Sequence, residues 1–340
     1  MSDFTPFLDK VLSGAILSQA EMTQAMTLIM RGDVPHDDLA PFLTAMSARG
    51  EAVCEITGAA TVMRQMASAI NAPAGAIDCC GTGGDASGTY NISTAVAIVC
   101  AAVGVPIAKH GNRAASSKSG AADVLEALGV NLDLNTAQLE NALKQFNFCF
   151  LMAPHHHQAM KHVMPTRKAL GHRTIFNLLG PLANPAGTSR QLIGVFDEKW
   201  LHPIAQTLHN LGTTRAWIVH GLDGLDEITT TTQTKAVILD NGAITERLFS
   251  PEDFGLKTAN ARDLKGGDAK QNAGALLDIL KGMQNAYRDI VLANAAAVLN
   301  IHGSANDLLE GVTLAAKTID SGAALQTLNA YAQYSQEQKA

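Results

Sequence analysis

Two loops of this chain combine glycines, hydroxyl groups and cations in a way that suits phosphate binding. The first, residues 81–86 (GTGGDA), lies between a predicted strand and a predicted helix, and the second, residues 109–119 (KHGNRAASSKS), follows the next predicted strand. Backbone amides at a helix N-terminus bind anions, and Arg, Lys and Ser add charge and directed hydrogen bonds. Two such loops at the carboxyl ends of neighbouring strands predict a ligand with more than one phosphate.

The first loop also fits the dinucleotide pattern G-x-G-x-x-A, but its context argues against a nicotinamide cofactor. A dinucleotide site needs an acid about 20 residues further on for the ribose hydroxyls, whereas the second predicted strand leads into residues 109–113 (KHGNR). The sequence also lacks the GK[ST] signature of a P-loop. A solvated basic loop beside an unrelated glycine turn is the alternative, and residues 91–94 (NIST) could act only as a helix cap.

Two adjacent acids, Asp226 and Glu227, follow a third predicted strand in the segment 220–227 (HGLDGLDE). Proteins hold Mg²⁺ with one or two carboxylates and leave the rest of its shell to water and substrate phosphates. An acidic surface turn is the alternative interpretation. Beside two anion-binding loops the pair predicts a magnesium site, because a polyphosphate ligand needs its charge neutralised.

Neither the histidines nor the cysteines predict a zinc site or a disulfide. The run of three histidines at 155–157 lies in a predicted loop with no Cys or Glu at ligand spacing. The five cysteines are an odd number and form no C-x-x-C motif. We therefore expect buried, reduced thiols.

Composition and length place these loops in a globular protein. The chain has 340 residues, of which 47% are hydrophobic and 16% charged, and its length suits about two domains. The net charge of −6, from 25 Lys and Arg against 31 Asp and Glu, is not the cationic field of a nucleic-acid binder. With no apolar run long enough for a membrane span and no signal-peptide pattern, we expect a cytoplasmic protein without nucleic-acid or membrane partners.

The periodicity predicts a small helical domain followed by a larger α/β domain. Residues 1–72 show only helical spacing, with a capping box at 18–21 (SQAE). Beyond them helical stretches alternate with β-like runs, at 76–80, 105–108, 148–152, 191–196, 216–220 and 236–240. This alternation is typical of a mainly parallel central sheet covered by helices. We predict domains at residues 1–72 and 73–340, with part of 154–186 joining the helical one.

Taken together, these motifs resemble the anthranilate phosphoribosyltransferase family, which has the nucleoside-phosphorylase-like phosphoribosyltransferase architecture. The matching segments are GTGGD at 81–85, NIST at 91–94, KHGNRAASSKSG at 109–120, MKHV at 160–163, RTIFNLLGPLANPA at 173–186 and GLDE at 224–227. The resemblance implies that the 5-phosphoribosyl group passes from phosphoribosyl pyrophosphate to the amine of anthranilate, a step of tryptophan biosynthesis. It also implies Mg²⁺ as the cofactor and a homodimer.

The resemblance further implies roles for individual residues. Those implied for phosphoribosyl pyrophosphate are Gly81, Gly84, Asp85, Thr89, Asn91, Ile92, Ser93, Thr94, Lys109, His110, Gly111, Asn112, Arg113, Ala114, Ala115, Ser116 and Ser117. Those implied for anthranilate are Gly81, Asn112 and Arg167, and the implied metal set is Ser93, Asp226 and Glu227. Ala121 stands where many members have a serine, so we expect at most somewhat weaker phosphate binding.

The chemistry of this transfer agrees with the residue types. Loss of pyrophosphate from C1 builds positive charge on the ribose and negative charge on the leaving group, which Mg²⁺ and loop amides stabilise. An aromatic amine is already a usable nucleophile, so positioning contributes more than proton abstraction. The general base stays open at this point, and His110 is the candidate catalytic residue.

Two other functions compete with this interpretation. A pyrimidine nucleoside phosphorylase would use inorganic phosphate without a magnesium pair, and a non-enzymatic nucleic-acid-binding relative would show a basic face and eroded metal residues. The acids at 226 and 227 and the KHGNR loop argue against the first, and the net charge of −6 argues against the second.

A dimer surface is predicted near the N-terminus. Apolar residues recur there at near-helical spacing, namely Phe4, Phe7, Leu8, Leu12 and Ile16. Such a stripe can cover a groove on a second copy of the chain. Internal packing of the same residues is the alternative.

Overall fold

The N-terminal part of the protein is helical. The structure is a computed structural model that describes residues 3–85, 87–114 and 118–339. Its first helices are α1 (Thr5–Leu12), α2 (Gln19–Arg31), α3 (His36–Arg49) and α4 (Val53–Gln65). The predicted capping box starts α2. The Ser18 hydroxyl accepts a hydrogen bond from the Glu21 backbone amide, and the Glu21 carboxylate accepts one from the Ser18 backbone amide at 2.7 Å. The helical prediction for this part is confirmed.

A mainly parallel sheet follows, with helices between its strands. The strands are β1 (Ile77–Gly81), β2 (Ile107–Gly111), β3 (Phe148–Met152), β4 (Arg190–Gly194), β5 (Arg215–Gly221), β6 (Thr234–Asp240) and β7 (Ala243–Phe249). The remaining α-helices are α5 (Ile92–Val103), α6 (Ala121–Ala127), α7 (Thr136–Phe146), α8 (Ala153–His156), α9 (Met164–Leu170), α10 (Phe176–Leu182), α11 (Leu201–Asn210), α12 (Ala269–Leu280), α13 (Ala286–His302), α14 (Leu308–Asp320) and α15 (Ala323–Glu337). Short 3-10 helices lie at Gln158–His162, Glu198–Trp200, Pro251–Phe254 and Ala261–Leu264.

The strand order brings the predicted loops together. Across the sheet the order is β3-β2-β1-β4-β5-β6-β7. The neighbouring pairs from β3 to β5 are parallel, so β2, β1, β4 and β5 end at the same edge. The glycine loop after β1, the basic loop after β2 and the acidic loop after β5 therefore leave the sheet side by side.

The last strand, β7, was not predicted from the sequence. β6 and β7 pair antiparallel, and the turn between them uses Asn241 at φ 48° and Gly242 at φ 92°. An Asn-Gly pair with positive φ at both positions is a strong hairpin signal. β7 escaped prediction because most of its side chains are exposed and it lacks the apolar run of the other strands.

Alternate strand residues enter two separate cores. Ile193 and Leu192 are neighbours in β4, yet Ile193 packs with the helical part of the chain and Leu192 packs with the helices on the other face. Successive side chains of a strand point to opposite faces of the sheet, so one face of the sheet and the N-terminal helices share a continuous core. Phe42 of α3 and Leu208 of α11 are both buried in it.

The segment after β3 returns to the N-terminal helices. The 3-10 helix Gln158–His162 packs on α2, α9 packs on α3, and α10 packs on α4. This packing supports the assignment of part of 154–186 to the helical unit, while the division at residue 72 stays a prediction. Across the described residues, no helix has the length and apolar character needed to cross a membrane.

A buried carboxylate ties the N-terminal helices together. Glu55 of α4 is fully buried and accepts hydrogen bonds from the amides of Leu17 at 3.0 Å and Ala52 at 2.9 Å. Its charge is met by Arg49 at 2.6 Å, whose guanidinium also donates to the Ala15 carbonyl. Glu55 thus joins the start of α4 to the segments that precede α2 and follow α3.

Replacing Arg49 by Ala should lower the free energy of unfolding by about 3–5 kcal/mol, because it leaves the buried Glu55 charge without its partner. Urea denaturation of the full chain measures this loss. Lys10→Ala is the matched control, since it breaks the exposed Lys10–Glu21 pair at 2.7 Å and should cost much less. Equal losses in the two variants would contradict the role given to Glu55.

Candidate active site

The acidic loop rests against the glycines that end two parallel strands. Gly81 and Gly194 are register partners in β1 and β4. A Cβ atom on Gly81 would lie 2.3 Å from Asp226 Oδ2, and one on Gly194 would lie 1.5 Å from the Asp226 carbonyl oxygen. The Gly83 amide donates to Asp226 Oδ2 at 2.7 Å. Asp226 therefore occupies the space that two missing side chains leave.

Glu227 meets the first turn of α5. The Ser93 amide donates to Glu227 Oε1 at 3.2 Å, so this carboxylate lies at a helix N-terminus, where negative charge is favoured. The sequence placed Ser93, Asp226 and Glu227 in one metal set. The structure brings the acidic pair to the first turn of α5 and to the loop after β1.

The pKa values of Asp226 and Glu227 are both raised. Burial, and next the negative charge of Asp85, raises the pKa of Asp226 to about 7. Burial, and next the charge of Asp226, raises the pKa of Glu227 to about 8. Both residues are only half-buried by solvent exposure, so crowding of like charges contributes beside desolvation. The charge of Lys109 acts to lower the pKa of Glu227, yet the pKa values of both acids remain raised.

A magnesium ion fits this arrangement. The donors are carboxylate and hydroxyl oxygens, which Mg²⁺ prefers, and a cation would offset the charge that raises both pKa values. Within the described part of the chain, no group of three or more His, Cys, Asp or Glu side chains is arranged to hold a metal. The rest of the shell would therefore come from water and substrate phosphates, as is usual for Mg²⁺.

Lys109 points into the protein. It is 1% exposed, and its ammonium donates to the Cys79 carbonyl at 2.7 Å and to Ser93 Oγ at 3.1 Å. Because Ser93 also contacts Glu227, the cation supports the acidic side of the site. A direct contact of Lys109 with phosphate stays a prediction.

The basic loop after β2 is closed by acids of α6. Asp123 accepts the amides of Ala114 and Gly120, each at 2.9 Å. The exposed Arg113 guanidinium pairs with Asp123 at 3.1 Å and with Glu126 at 2.8 Å. The charge of Arg113 is thus already compensated, and its phosphate contact stays a prediction.

Two further positions of the basic loop, Gly111 and Asn112, lie against other parts of the protein. Asn112 Oδ1 accepts the Arg113 amide at 2.8 Å. A Cβ atom on Gly111 would lie 3.5 Å from the Cβ of Ala121, which puts the position of the missing serine hydroxyl next to this loop. The predicted phosphate contacts at 115–117, and Ala86 of the glycine loop, lie outside the described residues.

The segment that enters α5 is held by residues for which the sequence gave no motif. Asn91 Oδ1 accepts a hydrogen bond from the side-chain amide of Asn272 at 2.8 Å, and the Asn91 backbone carbonyl accepts one from the Tyr287 hydroxyl at 3.3 Å. Thr89 forms an isolated β-bridge with Lys265, whose ammonium donates to the Ser87 carbonyl. These partners lie about 180 residues away along the chain, where only the fold could reveal them.

Ile92 and Thr94, two further members of the predicted set, are buried in α5. Their side chains belong to the core. Any contact of these two residues with a ligand would therefore come from their backbone amides at the helix N-terminus.

His110 is buried beside a second histidine. Its Nδ1–H donates to the Gly180 carbonyl at 3.1 Å, and its ring centre lies 5.2 Å from that of His157. Burial, and next the charge of His157, lowers the pKa of His110 to about 3. The imidazole is therefore neutral at pH 7 and a weak base. Its role as general base stays a prediction that this environment does not favour.

Arg167 is a half-buried cation on α9. Its guanidinium lies 5.6 Å from the centre of the Phe176 ring, and its hydrogen bond goes to Met164 Sδ at 3.8 Å. Among the described residues no carboxylate pairs with it, and burial lowers its pKa. A half-buried guanidinium of this kind suits the carboxylate of a ligand.

Arg173 connects this segment to the glycine loop. Its guanidinium donates to the Gly84 carbonyl and lies 3.9 Å from the centre of the Phe196 ring. Its own carbonyl accepts the Ser47 hydroxyl of α3 at 2.9 Å. The segment that carries Arg167 thus touches both the N-terminal helices and the loop after β1.

Comparisons with known proteins agree along nearly the whole chain. Residues 5–67 match the helical bundle domain of the glycosyl transferase family, and residues 74–325 match its a/b domain. The anthranilate phosphoribosyltransferase of Rhodospirillum rubrum is 54% identical over 96% of this chain and 94% of its own length.

Solved structures show the same similarity. The crystal structure of the anthranilate phosphoribosyltransferase of Thermus thermophilus is 40% identical with a TM-score of 0.92, covering 97% of this chain and 99% of that chain. The Saccharomyces cerevisiae enzyme in complex with phosphoribosyl pyrophosphate and Mg is 28% identical with a TM-score of 0.90, covering 98% of each chain. The yeast enzyme has also been solved with 4-fluoroanthranilate.

Gly194→Ala should lower the free energy of unfolding by about 1–3 kcal/mol or more, because the new methyl group would meet the Asp226 backbone, which cannot rotate away. Gly274→Ala in α12 is the control, since a Cβ atom there meets nothing within 4 Å and alanine favours the helix. Urea denaturation compares the two variants. A Gly194→Ala protein as stable as the wild type would contradict the close approach of Asp226.

Proposed function

The chain belongs to the anthranilate phosphoribosyltransferase family, and on that basis we propose that it transfers the 5-phosphoribosyl group from phosphoribosyl pyrophosphate to the amine of anthranilate. The products are N-(5-phosphoribosyl)anthranilate and pyrophosphate, in tryptophan biosynthesis. The observation that carries the proposal is the meeting of the glycine loop, the first turn of α5 and the Asp226-Glu227 pair at one edge of the sheet. That meeting supplies both the anion-binding amides and the cation-binding oxygens that a pyrophosphate leaving group needs.

Mg²⁺ is the proposed cofactor, and Ser93, Asp226 and Glu227 would hold it. When bound, the ion would supply positive charge for the departing pyrophosphate. The complex of the yeast relative with phosphoribosyl pyrophosphate and Mg supports this assignment. Burial and next the neighbouring negative charge raise both carboxylate pKa values, and a cation at this place would offset that charge.

The glycine loop and the start of α5 would bind the donor substrate. Gly83 and Gly84 have positive φ values of 68° and 76°, which turn the backbone of this loop. Backbone amides in such a loop and at a helix N-terminus point at anions. The Asn91 carbonyl and side chain are held from α12 and α13, so the segment is already positioned before the substrate arrives.

Arg167 would bind the carboxylate of anthranilate. Its half-buried guanidinium has no acid partner among the described residues, and a guanidinium fork fixes a carboxylate in one plane. The complex of the yeast relative with 4-fluoroanthranilate supports a planar aromatic acid as the ligand. The amine would then be directed toward the ribose by the orientation of the carboxylate.

Positioning accounts for the transfer better than proton abstraction. The low pKa of His110, about 3, makes it a poor base at neutral pH, and an aromatic amine attacks without prior deprotonation. Holding the amine close to C1 can lower the activation barrier by several kcal/mol. The range available from proximity and orientation reaches about 7–11 kcal/mol.

A homodimer through α1 and the segment that follows it is proposed from their exposed apolar residues. Phe4 is buried and packs 4.9 Å from Phe42, which matches the internal-packing alternative for this residue. Leu12 and Ile16 are 54% and 52% exposed and would be covered by a second copy. The cytoplasmic location stays a prediction from the sequence.

The double substitution Asp226→Asn with Glu227→Gln should reduce pyrophosphate release in the presence of anthranilate by about 100-fold or more. This loss exceeds the one expected when a residue that only supports a metal ligand is removed. The fold should survive, because neutral amides remove a charge that burial disfavours. Excess chelator should abolish wild-type activity.

The matched control is Asp240→Asn with Glu246→Gln, which changes exposed acids of β6 and β7 and should leave turnover unchanged. Full activity of the Asp226/Glu227 variant, or of the wild type in chelator, would refute the metal assignment. Release of pyrophosphate without anthranilate would refute the assignment of anthranilate as the acceptor substrate.

Arg167→Ala should raise KM for anthranilate by roughly 30-fold, the equivalent of about 2 kcal/mol for a lost charge-assisted hydrogen bond. KM for phosphoribosyl pyrophosphate should change much less. Steady-state titration of each substrate separates the two effects. Equal losses for both substrates, or a loss confined to the donor, would place Arg167 in the phosphate site or the scaffold.

A further inference from the structure

A single polar side chain interrupts an otherwise apolar stretch of α13. Asn294 is fully buried, and its neighbours from Ile290 to Val298 are alanine, valine, leucine and isoleucine side chains of the same core. An apolar residue would fill this position without the cost of burying an amide. The packing of α13 therefore does not explain why asparagine is here.

The amide of Asn294 holds the backbone of the acidic loop. It donates to the Ile228 carbonyl at 2.8 Å and accepts the Ile228 amide at 2.9 Å. Its second N–H donates to the Ile290 carbonyl of α13 at 2.9 Å. Ile228 directly follows Glu227, so this buried clamp fixes the chain one residue from a proposed metal ligand.

A second polar group on the same helix holds the other half of the site. The Tyr287 hydroxyl donates to the Asn91 carbonyl at 3.3 Å, and the Tyr287 ring stacks on Tyr90 with centres 4.4 Å apart. Asn91 lies two residues before Ser93, at the start of α5. Tyr287 therefore fixes the segment that meets Glu227 from the other side.

The two groups lie on one face of a rigid element. Positions 287 and 294 are seven residues apart, which is about two helical turns and ~10 Å along the axis. The other bonds of the acidic loop run from its carboxylates to the Gly83 and Ser93 amides, or lie within the loop and reach its neighbour β6, as between Asp223 and Thr229 at 2.7 Å or Thr229 and Thr234 at 2.9 Å. The Glu227 side chain reaches α5 itself, whereas α13 holds the backbone of the acidic loop and of the segment that enters α5.

We propose that α13 acts as a buried strut that sets the separation of Ser93 and Glu227, with Asn294 and Tyr287 as its positioning residues. The inference rests on the proposed function, because it assigns these residues to the magnesium and pyrophosphate side of that site. Asn294 holds the backbone next to Glu227 and Tyr287 holds the backbone shortly before Ser93, so one helix restrains both partners of the Glu227–Ser93 contact. Restraints of this kind around metal ligands have large effects on metal binding although they never touch the ion.

The test is binding of phosphoribosyl pyrophosphate in the presence of Mg²⁺, measured by calorimetry without anthranilate so that no turnover occurs. Asn294→Asp keeps the size and one acceptor but replaces the donor that faces the Ile228 carbonyl. Tyr287→Phe removes only the hydroxyl. Each should raise the Kd for phosphoribosyl pyrophosphate by about 10- to 100-fold, while the Kd for anthranilate changes by less than about twofold.

Matched controls exist in the same protein. Asn131 donates to the Ser335 carbonyl at 3.2 Å, and the Tyr331 hydroxyl accepts the Phe150 amide at 3.2 Å. Asn131→Asp and Tyr331→Phe remove equivalent buried contacts that do not involve the acidic loop or the start of α5. They should lower the melting temperature comparably and leave both Kd values within about twofold of the wild type.

If the Asn294 and Tyr287 variants lose stability like the controls but bind phosphoribosyl pyrophosphate normally, α13 is only a scaffold and the inference fails. Equal changes in both Kd values would also overturn it. Should Asn294→Asp not fold, the milder Tyr287→Phe decides alone. A wild-type protein that does not bind phosphoribosyl pyrophosphate with Mg²⁺ would overturn the proposed function and this inference together.

Discussion

The close approach of Asp226 to the ends of β1 and β4 is the contact on which the site depends. It is possible only because Gly81 and Gly194 lie opposite each other in the sheet and neither has a Cβ atom. The approach brings Asp226 beside Asp85 and Glu227 beside α5, and burial together with the neighbouring negative charge raises the pKa of each acid in the pair. Carboxylates held in this way would need little rearrangement to bind the proposed cation.

The sheet and α13 both contact the segments that form this arrangement. Parallel strands end at one edge and place the three loops side by side, and the buried helix α13 contacts the backbone that follows Glu227 and the backbone that enters α5. Every polar atom of the Asn294 amide has a partner, as a buried polar group requires. Rigid elements therefore determine positions that loops alone would leave variable.

The helical part of the chain contributes the other half of the proposed chemistry. Its core is continuous with one face of the sheet, and α9, which carries Arg167, packs on α3. Arg173 then links this segment to the Gly84 carbonyl. The residue proposed for the acceptor and the loop proposed for the donor are thus joined by a short physical path, which suits a reaction between two bound molecules.

Local pattern was enough to predict much of the fold. The strand over Phe148–Met152 has the bounds that periodicity predicted. The capping box before α2 was equally visible, because such signals depend on residues within a few positions of one another. The glycine, basic and acidic motifs identified the chemistry for the same reason.

Only the tertiary structure decided how those motifs are used. It turned Lys109 inward to Ser93, paired Arg113 with α6, buried His110, and raised the pKa of the two acids. It also brought Asn294 to Ile228, which is 66 residues away in the chain. Composition and periodicity describe what each segment is, whereas burial, charge compensation and the positioning of a carboxylate depend on which distant segments the strand order brings into contact.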